Sequence, residues 1–156
     1  MRQKIDIIVS RILVFIMIAM TLDVLWGVFT RYAMGHQASW TEELARFLLI
    51  WLGVLGAAFT SGRRKHLAID LLSDRFNPKQ QKLLAQLINA LIVIFAVLVL
   101  VIGGLRLMYL TQLLGQTSPA LQVPMSWIYS VIPVSGLLII YYRLTHPDRP
   151  SNLNTQ

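Results

Sequence analysis

The chain has 156 residues, of which 56% are hydrophobic and only 13% charged, with a mean hydropathy of +0.62. That balance is too apolar for an ordinary soluble domain of this length and points to a membrane protein. No cysteine is present, which excludes disulfides and thiolate chemistry, and the net charge of +7 flanks apolar runs, so lipid headgroups and topology explain it without nucleic acid.

Four apolar segments follow one another at residues 12–30, 40–60, 83–105 and 125–142. At about 1.5 Å per residue each measures roughly 27–34 Å, enough for a bilayer core of about 30 Å. The expected fold class is therefore an all-α membrane protein, a single membrane domain of four transmembrane helices. The first segment is interrupted only by Asp23. It is long for the apolar part of a signal peptide and no A-x-A-like site follows it, so it reads as a retained span.

The second segment opens with "SWTEELARFLLIW", where Glu42, Glu43 and Arg46 run straight into apolar residues. Its charge-free part, 47–59, would cover only about 20 Å. The helix must therefore begin earlier and carry Arg46 inside the membrane boundary. Ser39 and Glu42 have the spacing of an S-x-x-E capping box, and acids suit the positive end of a helix.

The connection to the third span starts with "GRRKH", whose Arg63, Arg64 and Lys65 read as a lipid-facing basic anchor. "HLAIDLLSDRF" then mixes apolar and charged residues at helical spacing, as a short amphipathic segment lying in the membrane plane would. Asn77-Pro78 stops it and opens the third helix, which is expected to continue to about Leu114 with a bend at Gly103-Gly104. Pro119 and Pro124 favour an extended path into the fourth helix, and Pro133 is expected to kink it. The polar residues 144–156 read as a disordered tail.

Lysine and arginine set the orientation. The N-terminal tail, the second connection and the C-terminal tail hold most of them, whereas Arg31, Arg46 and Arg106 fall on the other side. By the positive-inside rule both termini are expected in the cytoplasm.

Asp23 lies about 12 Å from the end of its helix and Arg46 about 10 Å from the start of the next, so the two reach similar depth and could pair. Ala19, Asp23, Gly27 and Thr30 share one face of the first helix, and Glu42, Arg46, Gly53 and Ala57 fall near one face of the second. Gly53-x-x-x-Ala57 has the spacing of a small-residue packing motif. Charges inside a span suggest an ion or substrate site. Helix packing or a partner interface is the preferred reading, because Glu42 and Arg46 are a favourable i, i+4 pair and no repeat or broken helix of the transporter kind is seen. His36, His66 and His146 lie outside the spans and cannot form a metal or haem set. No serine nucleophile, phosphate loop or cofactor motif stands out, so the chain does not read as an enzyme.

Two stretches resemble a known family. "SWTEELARFLLIWLGVLGAAFTSGRRKHLAIDLL" is similar to the signature segment of the small membrane subunit, the Q component, of tripartite ATP-independent periplasmic (TRAP) transporters. Trp40, Glu42, Glu43, Arg46, Trp51, Gly56-Ala57 and His66 carry the likeness. "SPALQVPMSWIYSVIPVSGLL", with Pro124, Trp127, Tyr129 and Pro133, resembles the start of the family's last helix. The resemblance implies a multi-pass protein of the bacterial inner membrane, without cofactor, in a sodium-coupled system that imports an organic acid anion such as a sialic acid or a C4-dicarboxylate. Its implied partners are a large membrane permease (M) subunit, a periplasmic substrate-binding protein and membrane lipids. The small subunit would brace the large one and help dock the binding protein, with Asp23, Arg31, Trp40, Glu42, Glu43, Arg46 and Trp51 at helix-packing or partner surfaces. A free-standing four-helix carrier or assembly factor is the alternative.

Overall fold

The computed structural model describes residues 2–36, 38–63 and 78–145. The in-plane segment expected after the second span, with Arg64 and Lys65, and the tail from residue 146 lie outside the described residues. Helix α1 spans Arg2–Ala33 and α2 spans Ser39–Arg63. The third span begins as α3, Pro78–Phe95, passes through a π-helical segment, Ala96–Gly103, and ends as α4, Gly104–Leu113. The fourth is split into α5, Met125–Tyr129, and α6, Val131–Thr145. Four helical stretches, Lys4–Ala33, Ser39–Gly62, Gln86–Leu113 and Met125–Thr145, are long and apolar enough to cross a membrane, and no strand is found among the described residues.

These bounds extend the apolar segments at several ends. Helix α1 continues back through Arg11, Asp6 and Lys4, because helical backbone bonds persist beyond the apolar run once the helix is nucleated. Helix α6 runs to Thr145, so residues 144 and 145 are helical.

The helices form a row. α1 packs on α2, α2 packs on α6, and α6 packs on the π-helical segment, while α4 meets the short α5. The main apolar cluster joins three members of the row through Ile16, Leu55 and Val131, with Leu48, Trp51 and Ile132 around them. A row has two broad faces, so large side chains such as Phe15, Leu22 and Phe29 of α1 and Leu91, Leu98 and Leu105 of the third span stay exposed. In a membrane such faces meet lipid or another protein.

Small residues let α6 approach the third span closely. A Cβ on Gly136 would lie 2.8 Å from Leu100 Cβ and 3.3 Å from the Ala96 carbonyl oxygen. A Cβ on Gly104 would lie 2.8 Å from Pro133 Cδ. The departure from regular helix is thus an eight-residue wide turn ending at Gly103, and not a simple bend at the glycine pair. The Gly104 amide is shared between the Leu100 and Val101 carbonyls where this segment returns to α-helix. Gly53 and Ala57, in contrast, are exposed, and nothing lies within 4 Å of a Cβ built on Gly53. The small residue that α2 buries completely is Ala58, at 0% exposure. The stripe read from Glu42 through Ala57 therefore faces away from the helix contacts.

Candidate functional site

The end of the row that carries the 34–38 and 114–124 connections, here the loop end, holds most of the charges picked from the sequence. Helix α2 starts there, at Ser39. The capping box does not form: Ser39 is already helical, and the Ala38 carbonyl accepts from the Thr41 amide at 3.2 Å and the Thr41 hydroxyl at 2.7 Å. Thr30 joins α1 to this turn. Its hydroxyl donates to the Gly27 carbonyl at 3.0 Å and accepts from the Ala38 amide at 3.4 Å.

Glu43 reaches across to the 114–124 connection. Its Oε2 accepts the Ala120 amide at 2.9 Å and the Leu121 amide at 2.8 Å. The connection is ready for that role because it is internally tied. Gly115, with a φ of +60°, closes α4 in a Schellman turn, in which the Gln116 amide donates to Thr111 and the Gly115 amide to Gln112. The Ser118 amide then donates to Val123 at 2.9 Å and the Met125 amide to Gln116 at 2.9 Å. A carboxylate holding two amides is a charge-assisted clamp, stronger than a neutral pair.

Trp51, two turns further along α2, donates its indole N–H to the Ile128 carbonyl at 3.1 Å. Ile128 precedes the break at Ser130, whose hydroxyl turns back to the Trp127 carbonyl at 2.6 Å. Pro133 supplies no amide for the Tyr129 carbonyl four residues earlier, so the fourth span interrupts there as its sequence suggests.

Arg46 and Glu42 form the expected i, i+4 pair at 3.4 Å, with both side chains mostly exposed. Asp23 does not join them. It is 6% exposed, and neither carboxylate oxygen has a hydrogen-bond partner among the described residues. Equal depth does not bring the two together, because Asp23 points into the α1–α2 contact while Arg46 lies outside it. A cavity of about 180 Å³ next to Asp23 is lined by Gly27, Arg31, Thr41, Glu42 and Ala45. Arg31 sits in the last turn of α1, where a cation suits the negative helix end. Trp40 is exposed. Arg63 ends α2 at the opposite, terminal end of the row.

That terminal end holds a second cluster. The Tyr142 hydroxyl donates to Asp6 Oδ1 at 2.7 Å, and the Tyr142 ring occupies the space over Gly62, where a Cβ would lie 2.6 Å from Cγ. Arg143 donates to the Ser61 hydroxyl at 3.4 Å. The sequence marks Tyr142 as an interface aromatic and Arg143 as a basic residue of the C-terminal end, but does not bring them together with Asp6, Ser61 and Gly62. The only signal was an isolated acid before the first apolar run, and its partner lies 136 residues away.

Among the described residues no group of three or more histidines, cysteines, aspartates or glutamates could hold a metal ion. The hydrogen bonds described tie the helices of the row to one another and to the 114–124 connection.

Residues 20–146 match the family model described as tripartite ATP-independent periplasmic transporters, DctQ component. The chain is 28% identical over 147 residues to the sialic acid TRAP transporter small permease protein SiaQ of Vibrio cholerae, covering 92% of this chain and 82% of that protein. It is 33% identical over 129 residues to the isethionate TRAP transporter permease protein DctMQ of Oleidesulfovibrio alaskensis, covering 82% of this chain but only 20% of that longer protein. It is 26% identical over 107 residues to the C4-dicarboxylate TRAP transporter small permease protein DctQ of Rhodobacter capsulatus, covering 69% of this chain and 47% of that protein. These relatives are transporter components and not enzymes. A multi-pass helical membrane protein by its four long apolar helices, the chain belongs to the DctQ-component family, the small permease subunits of TRAP transporters.

Proposed function

We propose that this subunit braces the large permease of a sodium-coupled uptake system for an organic acid anion. The row of helices carries this reading: its two broad apolar faces are suited to lie against a larger membrane protein. The local charges agree with it, since Glu43 is engaged by loop amides and Arg46 by Glu42. The relatives' names supply the substrate class, a sialic acid or a C4-dicarboxylate, with isethionate as a further organic anion. Discrimination among these belongs to the large permease and the periplasmic binding protein. The lysine and arginine distribution supports a terminal end in the cytoplasm of a bacterial inner membrane and a loop end in the periplasm, where the binding protein docks. Arg63, Arg64 and Lys65 anchor the cytoplasmic side on anionic lipid.

The test is co-expression of the tagged chain with its large permease and purification in mild detergent. The two are expected to elute in fixed ratio. Elution of this chain alone, with substrate uptake once it is placed in liposomes, would overturn the brace and favour a free-standing carrier. The cavity beside Asp23 would then be its candidate transport site. Arg46→Ala is expected to weaken the complex or uptake without changing which substrate is taken, as a competition uptake assay would read.

A further inference from the structure

A second recess at the loop end opens between α2 and α5 under the 114–124 connection and measures about 450 Å³. Its upper wall carries Glu43 and Arg46, with Gln116 and Thr117 on the rim. Its lower wall is apolar, formed by Phe47, Ile50 and Met125. Glu43, Phe47 and Ile50 succeed one another on one face of α2, so the wall turns from charged to apolar over about 10 Å along the span.

Two charged groups there are under-used. Arg46 has five N–H donors and spends one on a single long bond to Glu42 at 3.4 Å. Glu43 gives Oε2 to the two loop amides, and its Oε1 has no hydrogen bond among the described residues. One face of the recess therefore offers a guanidinium and a carboxylate oxygen one helical turn apart, above an apolar slot. Arg46 starts about 10 Å along α2, and an extended arginine brings its head to headgroup level.

We propose that this recess is a binding site for one phospholipid with a zwitterionic, primary-amine headgroup, the phosphatidylethanolamine class, from the leaflet at the loop end. The phosphate accepts from Arg46, the ammonium donates to Glu43 Oε1, and an acyl chain lies along Phe47, Ile50 and Met125. A phosphatidylglycerol headgroup has no cation for Glu43, and the quaternary ammonium of phosphatidylcholine has no N–H to donate. The charge pattern selects the amine lipid over both. A free phosphate would leave the apolar slot empty, and a partner's carboxylate would leave Glu43 without a donor.

The full-length chain, stripped of lipid in mild detergent, would be mixed in turn with palmitoyl-oleoyl phosphatidylethanolamine, phosphatidylglycerol and phosphatidylcholine and examined by native mass spectrometry. One phosphatidylethanolamine per chain is expected, retained at least about tenfold better than either competitor, since loss of one charge-assisted hydrogen bond corresponds to roughly that factor. Arg46→Gln is expected to remove the preference and Arg46→Lys to keep part of it. Thr117→Trp, on an exposed rim position, blocks the mouth without touching either charge and should lower retention if Arg46→Gln folds poorly. Equal retention of the three lipids, undiminished binding in both Arg46→Gln and Thr117→Trp, or full displacement of the lipid by inorganic phosphate would overturn the site. So would a photocrosslinker at residue 117 that captures only the large permease in the co-purified complex. Lipid retention is read on the chain itself, so its failure is separate from failure of the brace.

Discussion

The two ends of the helix row are fastened by different chemistry. At the loop end, side chains of α2 grip backbone: Glu43 takes the Ala120 and Leu121 amides, and Trp51 takes the Ile128 carbonyl. At the terminal end, side chains grip side chains: Tyr142 bonds Asp6 and Arg143 bonds Ser61. A backbone grip fixes the path of a connection wherever its side chains point. A side-chain grip fixes how helices stand against each other. The loop end therefore presents a surface of defined shape, and the terminal end sets the spacing of α1, α2 and α6.

The difference can be broken first at Gly62. Gly62→Leu forces the Tyr142 ring aside and with it the bond to Asp6, an overpacking cost of about 3 kcal/mol at the upper end of the usual range. Thermal unfolding in detergent should show the loss, with amide exchange quickened at the start of α1 while the 114–124 connection keeps its amide protection. Glu43→Ala is the reciprocal experiment. It strips a charged acceptor from two amides, for about 2 kcal/mol, and hydrogen exchange should quicken at Ala120 and Leu121 with α1 unaffected. Tyr142→Phe sharpens the comparison by deleting one hydroxyl and keeping the ring over Gly62. A loss of about 1 kcal/mol is expected, and the same thermal assay measures it. Glu42→Ala comes last. Its partner Arg46 is exposed, so stability should change by no more than about 0.5 kcal/mol.

Much of this molecule is legible in its sequence, and the illegible parts share a cause. Hydropathy marks the four spans because each apolar run needs a bilayer. It does not mark the ends of α1 or α6, where charged residues such as Asp6 and Arg143 remain helical and bond to side chains of other helices. The residues 96–103 read "AVLVLVIG", apolar on every face, so no polar marker reveals that the register widens there. Gly53 and Ala57 have the right spacing for a close helix contact, yet the contact is made by Gly104 and Gly136, whose partners lie on another helix. Helix spacing fixes depth along the membrane normal but not the angle about it. That is why Asp23 and Arg46 match in depth and do not meet. Glu43 was visible as an acid at a helix start, whereas its grip on amides 77 and 78 residues away depends on how the row assembles.

The wide turn at Ala96–Gly103 gives the third span mechanical slack. A π-helical stretch holds more residues per turn than an α-helix, so it can give one up by tightening. A single-residue deletion inside it would be absorbed on the spot, leaving α4 and the connection beyond it facing Glu43. The same deletion between 105 and 113 has nowhere to go. It would swing the connection by about 100° about the helix axis and carry Ala120 and Leu121 out of reach. Chain length in this span is thus negotiable at one place, and that place lies below the clasp that sets the shape of the loop end.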